Sequence, residues 1–265
     1  MSQPWHALLD ASPAHDENTL HRFLERNPSF VPGAFSFPTS GHWPLHGGVF
    51  TKPPLAAVGT SIPDFLWLAT ATDLVYPVFV EIETPGKRWF TRNGQATAEF
   101  TQARNQLVTW KRWFGNPVNE LAFCTMYQIP RGIGDCEIKP QFVLVYGRRS
   151  EFDDQPERRG IRAFQTADDE VHVTFDRLIA DYNARNFLTL RMAGNTISAA
   201  VFPPTAQLGP STAKAWRRVN NRIEAVTADE RISDERKQFL AERMPYWDEW
   251  AGRADRGWER PGDRE

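Results

Sequence analysis

Hydrophobic positions along this chain change period several times, and each change marks an element. From Asp16 the run DENTLHRFLERNP places Leu20, Phe23 and Leu24 at i, i+3 and i+4, the spacing of one helix face, and Asn27-Pro28 closes it. Residues 31–54 are rich in proline and glycine and read as turns and short strands. Residues 62–69 and 75–82 read as strands, with Thr84-Pro85-Gly86 turning the chain behind the second. Helical period returns in TAEFTQARNQLVTWKRWF, where Phe100, Ala103, Leu107, Trp110 and Phe114 share a face and Gly115-Asn116-Pro117 ends the run. Residues 121–129 fit a strand or a helix. Residues 141–146, QFVLVY, form a short apolar run of the buried-strand type that leads into Gly147-Arg148-Arg149. VHVTFDRLIADYNAR predicts a strand running into a helix, and residues 211–251 carry further helical patterns. Both chain ends read as loose.

This order predicts an α/β (α+β) fold with a mixed central sheet flanked by helices. The proline-rich stretch 199–210 divides a core domain, 16–200, from a C-terminal helical extension, 201–265, and residues 1–15 form a lead. At 265 residues the chain is long enough to bury a full core. A net charge of −2 excludes a globally basic nucleic-acid binder and leaves room for a local basic groove. The start has no basic-then-apolar leader, and no run approaches the roughly 20 apolar residues of a membrane span, so a cytoplasmic protein is expected. Cys124 and Cys136 lack metal-motif spacing and are expected reduced. The ten tryptophans, several beside charges near the C-terminus, suggest amphipathic helices that pack onto something.

The candidate chemistry lies at 61–90, where Tyr76-Pro77-Val78-Phe79-Val80 steps directly into Glu81-Ile82-Glu83. Alternate strand residues share a face, so Glu81 and Glu83 project together, and a hairpin back to 62–68 brings Asp64 alongside. Carboxylates at the end of a buried-type run need a partner, a cation or water. Three of them make a hard-oxygen site suited to Mg²⁺ or Mn²⁺. A bland alternative is a solvated strand end with ordinary surface acids. Glycoside hydrolysis also uses paired carboxylates, but nothing else suggests a sugar cleft. His42 and His46 are candidate ligands, with ordinary packing as the commoner role. Arg148, Arg149, Arg158, Arg159 and Arg162 are the densest cationic cluster, with Lys87, Arg88 and Arg92 behind the acids. They suit either a solvated face or phosphate contacts.

Pro63-Asp64 followed by Glu81-Ile82-Glu83 and then a Gln-bearing helix is the layout of the PD-(D/E)xK nuclease core. Several stretches, in order over about 16–190, resemble the Shedu anti-phage family of that superfamily: HRFLERNP, IPDFLWL, VFVEIETP, TAEFTQARNQLVTW, FVLVYGRRSEF and VTFDRLI. The resemblance implies a metal-dependent DNA endonuclease of phage defence, assembled as a homo-oligomer (dimer or tetramer) and answering a phage-derived trigger. It implies that Asp64 and Glu81 hold Mg²⁺ or Mn²⁺, that Glu83 stands at the catalytic-lysine position, and that Gln106 is the motif glutamine. Glu17 is an additional acid, Lys87 a substitute cation, and Arg88, Arg148 and Arg149 are nucleic-acid contacts. Glutamate in place of lysine departs from the superfamily pattern, although some restriction endonucleases use Glu-x-Glu. A catalytically inactive sensing or scaffolding module and a restriction or repair nuclease are the alternatives. The C-terminal helices could pack on the core, pair subunits, or reach DNA through Arg217, Arg218 and Arg222.

Overall fold

A computed structural model describes residues 2–11, 16–35, 43–55, 62–71, 74–129, 137–153 and 155–252; His42, Cys136 and the chain end beyond 252 lie outside them. The chain opens with α1 (Ser2–Asp10), where a loose lead was expected. Trp5 anchors it, fully buried, with its indole N–H donating to the Phe175 carbonyl at 3.1 Å. In α2 (Glu17–Arg26) the Asp16 carboxylate caps the start by accepting from the Asn18 N–H. Three strands follow: β1 (Gly48–Thr51), β2 (Phe65–Thr70) and β3 (Leu74–Ile82). Next comes α3 (Ala98–Phe114), capped by Thr97, and then α4 (Pro117–Met126), which resolves the 121–129 ambiguity as helix. Pro117 in its first turn and the Asn116 cap favour that outcome.

The second half runs β4 (Glu137–Ile138), β5 (Gln141–Val145), α5 (Ser150–Asp153), α6 (Pro156–Gln165) and β6 (Glu170–Val173). The helix expected after β6 is absent; only 3₁₀ turns form at Phe175–Arg177 and Tyr182–Ala184. The polar groups there find other partners. Phe175 N–H donates to the Gly147 carbonyl, Asp176 accepts from Arg149 N–H, and Asp181 accepts from Asn183 N–H. The hairpin β7 (Leu188–Ala193) and β8 (Thr196–Val201) follows, then α7 (Pro210–Trp216), β9 (Val219–Asn220), α8 (Arg222–Ala228) and α9 (Asp234–Gly252).

The strands form one mixed sheet in the order β6-β5-β3-β2-β1-β7-β8-β9, with β4 beside β3. β3, β5 and β6 run parallel, and β2 is antiparallel to both β1 and β3. Side-chain alternation splits the core between two faces. Leu66, Leu68, Phe79 and Leu144 pack with α3 and α4 on one, while Phe65, Trp67, Val78, Val80 and Val143 pack with α1 and α2 on the other. Beyond 201 the chain is built into the same core: β9 joins the sheet, and Trp216, Val226, Leu240, Met244 and Trp247 are buried. Core packing is thus the fate of the C-terminal tryptophan stripe, and Arg222 is tied to Asp248 at 2.8 Å.

One ion-pair cluster fixes α3 against the sheet. Lys111 Nζ donates to Asp169 at 2.6 Å and to buried Glu170 at 2.7 Å, and His172 Nε2 donates to Glu170 at 2.9 Å. Burial alone would raise the Glu170 pKa, but these bonds overcome it and hold the carboxyl at about 2, against an ordinary 4.5. A depressed carboxyl contributes stability above its unfolded value, and that contribution is lost as pH falls from 4.5 towards about 2. Lys111→Met takes the ammonium from buried Glu170. It is expected to cost about 2 kcal/mol in urea unfolding at neutral pH, with the difference shrinking as the buffer is made more acidic.

Candidate functional site

Strand register brings the predicted acids together. Phe65 pairs with Val80, so Asp64, one residue before β2, lies across from Glu81. Asp64 N–H donates to the Val80 carbonyl at 3.1 Å, and Asp64 Oδ2 accepts from Ile82 N–H at 2.8 Å. Glu83 continues the pairing of β3 with β5 through its N–H to the Val145 carbonyl at 3.0 Å. All three are buried, with 3% of Asp64, 8% of Glu81 and 7% of Glu83 exposed. Glu81 is the uncomfortable one. Among the described residues its Oε2 has no hydrogen-bond partner. Burial first, then the charges of Asp64 and Glu83, push its pKa well above the ordinary carboxylate value.

Glu17 stands at the exposed mouth of this cluster. Its pKa is raised by desolvation and then by Asp64 and Glu83, which places the α2 acid beside them. One turn on, His21 is buried against Phe65 at 4.7 Å between ring centroids, with Nε2 3.9 Å from Asp64 Oδ1 and 3.4 Å from Thr51 Oγ1. Burial pushes its pKa down despite Asp64 nearby. Sequence reasoning passed over His21, although its i, i+4 relation to Glu17 puts both on one helix face.

Two lysines supply the counter-charge. Lys87 Nζ meets Glu83 Oε2, and Lys52 Nζ meets Asp64 Oδ1. Lys52 follows β1 with a left-handed backbone (φ 43°), and its N–H donates to the Asp64 carbonyl at 2.8 Å. Its pKa is raised: desolvation works against the charge, but Asp64 outweighs it, with Glu81 and Glu17 adding to the effect. Nothing in the sequence spacing marked Lys52, because its partner Asp64 lies 12 residues further on and its own segment reads as turns.

The remaining predicted residues separate. Gln106 lies on the half-exposed flank of α3 and makes no hydrogen bond to the carboxylates. Arg148 is committed within the fold, to the Leu9 carbonyl, Asp10 and Asp176. Arg149 and Arg159 both reach Asp153, Arg158 sits over Phe90 and beside Glu151, and Arg162 lies over Phe152 and Trp89. Most of the cluster is thus tied to rings or acids, while the Arg149 and Arg159 side chains stay more than half exposed. Arg88 is exposed beside Lys87. His46 is buried, bonded to the Tyr127 carbonyl at 2.9 Å, far along β1 from the acids.

The loop that carries Lys87 is held from behind. Glu151 accepts from Trp89 N–H and Phe90 N–H at 2.9 Å each, and the Trp89 indole donates to the Tyr146 carbonyl at 3.1 Å. Gly147, at φ +60°, lets this loop approach: a Cβ there would meet the Lys87 carbonyl and Trp89 Nε1, both at 2.8 Å. Gly147→Ala combines a left-handed backbone with two clashes. It is expected to cost about 2–4 kcal/mol by chemical denaturation and to loosen Lys87 from Glu83.

The donor chemistry fits a hard divalent cation: buried carboxylate oxygens, one of them without a partner. No cage is formed, however. Among the described residues no group of three or more His, Cys, Asp or Glu is arranged to hold a metal ion. The arrangement seen is one in which Lys52 and Lys87 neutralise Asp64 and Glu83 while Glu81 is left without a cation partner.

Comparison with known proteins adds a family. The profile of the family described as Shedu protein SduA, C-terminal, matches residues 14–179. That span runs from the Asp16 cap of α2 past β6 and includes every acid and lysine of the cluster. No curated protein matches the chain. No helix among the described residues is long and apolar enough to cross a membrane.

Proposed function

From this chain's membership of the Shedu family, which points to a role in Shedu defence, we propose that the carboxylate cluster is the centre of a Mg²⁺- or Mn²⁺-dependent DNA endonuclease. One observation carries the reading: a central β-strand ends in two buried carboxylates opposite a third, with one Glu81 oxygen left without a partner. Structural acids are seldom left so. An unpaired buried carboxylate costs several kcal/mol unless a cation meets it, so the feature needs a reason. The α/β core is then of the PD-(D/E)xK kind, with Asp64 and Glu81 as the residues that would hold the ion and Glu83 assisting.

When bound, the ion supplies Lewis-acid polarisation of a phosphodiester and a more acidic water. The protein's own part is the rest. Asp64 is fixed by the Ile82 N–H, so its free lone pairs face Lys52 and the cluster. Lys52 and Lys87 bring positive charge to a centre whose usual lysine position is Glu83, and they can balance the charge of an entering phosphate. Gln106, Arg88 and Arg149 are proposed to contact the DNA strand. Arg148 has no such part, because its guanidinium already holds α1. A homo-oligomer and a phage-derived trigger belong to the same reading.

The second reading, a catalytically inactive module, is favoured by one observation. Lys52 and Lys87 already balance Asp64 and Glu83. Incubating the purified protein with supercoiled and linear DNA in Mg²⁺, Mn²⁺ or EDTA separates the two. Metal-dependent cutting that is lost in Asp64→Asn, together with loss of phage protection by the same variant, supports the nuclease. Absence of cutting in both metals, with protection retained by Asp64→Asn, establishes the inactive module. Cutting without any effect on phage plating would place the enzyme in restriction or repair.

A further inference from the structure

At the other end of β1 from Lys52 lies a cavity of about 520 Å³, lined by Trp43, His46, Lys214, Arg217 and Arg218 among others. β1 spans Gly48–Thr51, about 13 Å at roughly 3.3 Å per residue, between this cavity and Lys52, and no residue of the carboxylate cluster lines the cavity. Its charge is one-sided. Lys214, Arg217 and Arg218 fall at i, i+3 and i+4 across the end of α7, so they crowd one side, and among the described residues no acid lines the cavity. Among the described residues none of the three forms an ion pair. Arg148, Arg149, Arg158, Arg159, Arg191, Arg222 and Arg231, by contrast, all meet carboxylates. Arg218 spends one N–H on the Gln128 carbonyl at 2.8 Å, and Lys214 lies 5.4 Å from the centre of the Trp250 ring.

The opposite wall is aromatic and fixed. Trp43 is 38% exposed, yet it rests edge-on against Phe187 at 5.3 Å, and its carbonyl accepts from Thr70 Oγ1 at 2.9 Å. Behind it the chain is strained. His46 at φ 62° precedes Gly47 at φ 60°, and a Cβ on Gly47 would meet the Trp216 ring at 2.7 Å. A non-glycine residue held left-handed costs about 1 kcal/mol or more, and such strain clusters at ligand sites. The Trp216 indole N–H closes the joint by donating to the Gly47 carbonyl at 3.2 Å.

We propose that this cavity binds a nucleoside phosphate, with the phosphates on Lys214, Arg217 and Arg218 and the base against Trp43. Uncompensated cations grouped within reach of one another suit a polyanion, and an exposed, immobilised indole offers a stacking face for a base. The cavity volume accommodates one nucleotide. Its source is either a free nucleotide or the 5′ end of a nucleic-acid strand, which present the same chemistry. The inference does not rest on cleavage at the carboxylate cluster.

The test is calorimetric titration of the full-length chain in EDTA with three probes: ATP, tripolyphosphate and a 5′-phosphorylated oligonucleotide. ATP is expected to bind at roughly 10–100 μM. Lys214→Gln with Arg217→Gln, both at exposed positions, weakens it by about tenfold or more. Trp43→Ala weakens ATP several-fold while leaving tripolyphosphate unchanged. Asp64→Asn leaves ATP and tripolyphosphate binding unaffected. An oligonucleotide that binds more tightly than ATP identifies a strand end as the source; the reverse identifies a free nucleotide. Lys214→Arg with Arg217→Lys keeps the charge and is expected to keep binding, which guards against a folding artefact. No ATP binding below about 1 mM overturns the proposal. So does binding that survives the double glutamine variant, or tripolyphosphate binding as tightly as ATP.

Discussion

Asp64→Asn is expected to lower metal-dependent DNA cleavage by about a thousandfold or more, which is ~4 kcal/mol in the barrier. The size follows from where Asp64 sits. Its Oδ2 is fixed by the Ile82 N–H at 2.8 Å, a bond the asparagine oxygen can retain, so the backbone geometry survives. What goes is the negative charge between Lys52 and the cluster. An amide is a weaker donor to a hard cation than a carboxylate. Plasmid nicking rates in Mn²⁺, beside circular dichroism to show an unchanged fold, measure the effect. A variant that cuts within a fewfold of the parent would remove Asp64 from the centre.

The second large effect runs in the opposite direction. Glu81→Gln is expected to stabilise the protein in EDTA by about 2 kcal/mol, or about 4–8 °C in melting temperature. Glu81 is 8% exposed, its Oε2 has no partner, and burial together with Asp64 and Glu83 raises its pKa above 4.5. The sign follows from linkage. Well below 4.5 the carboxyl is protonated in both states, and as pH rises the unfolded chain releases the proton first. Glu81 therefore takes stability away as pH climbs from 4.5 towards its raised folded value, and glutamine removes that slope. Mn²⁺ reverses the order. An ion at a hundred times its Kd adds about 2.7 kcal/mol to the parent, and the glutamine variant gains far less. Equal melting temperatures in EDTA at neutral pH would mean that Glu81 already has a partner.

Much of this was legible in the chain. The step from a buried apolar run to Glu81 and Glu83 marked the strand end, because period-2 geometry alone puts them on one face. Asp64 followed from a hairpin, and the observed Phe65–Val80 register confirms that placement. Helices with clear caps and stops, α2 and α3, fell where their periodicity put them. What failed depended on partners distant in sequence. α1 is held by Trp5 against Phe175, a contact with no local signal. The stretch after β6 has helical residues, but its Phe175 N–H donates to the Gly147 carbonyl, its Asn183 N–H to the Asp181 side chain, and its Asp176 carboxylate accepts from Arg149 N–H. Lys52 reaches the site only because β1 lies beside β2, and no spacing encodes that. The arginine cluster suited either a solvated face or phosphate contacts, and several of its members are tied to Leu9, Asp153 and Phe152 within the fold. Charge density in a sequence does not reveal whether the charges are already paired.

A Mn²⁺-soaked crystal with anomalous diffraction measures most directly whether Asp64 and Glu81 share an ion. The predicted map has a single strong peak bonded to oxygens of Asp64 and Glu81, beside Glu83, with the Lys52 ammonium moved off Asp64 Oδ1. A map with no peak there, and with Lys52 and Lys87 still seated on Asp64 and Glu83, would contradict it and leave the cluster as a charge-balanced scaffold.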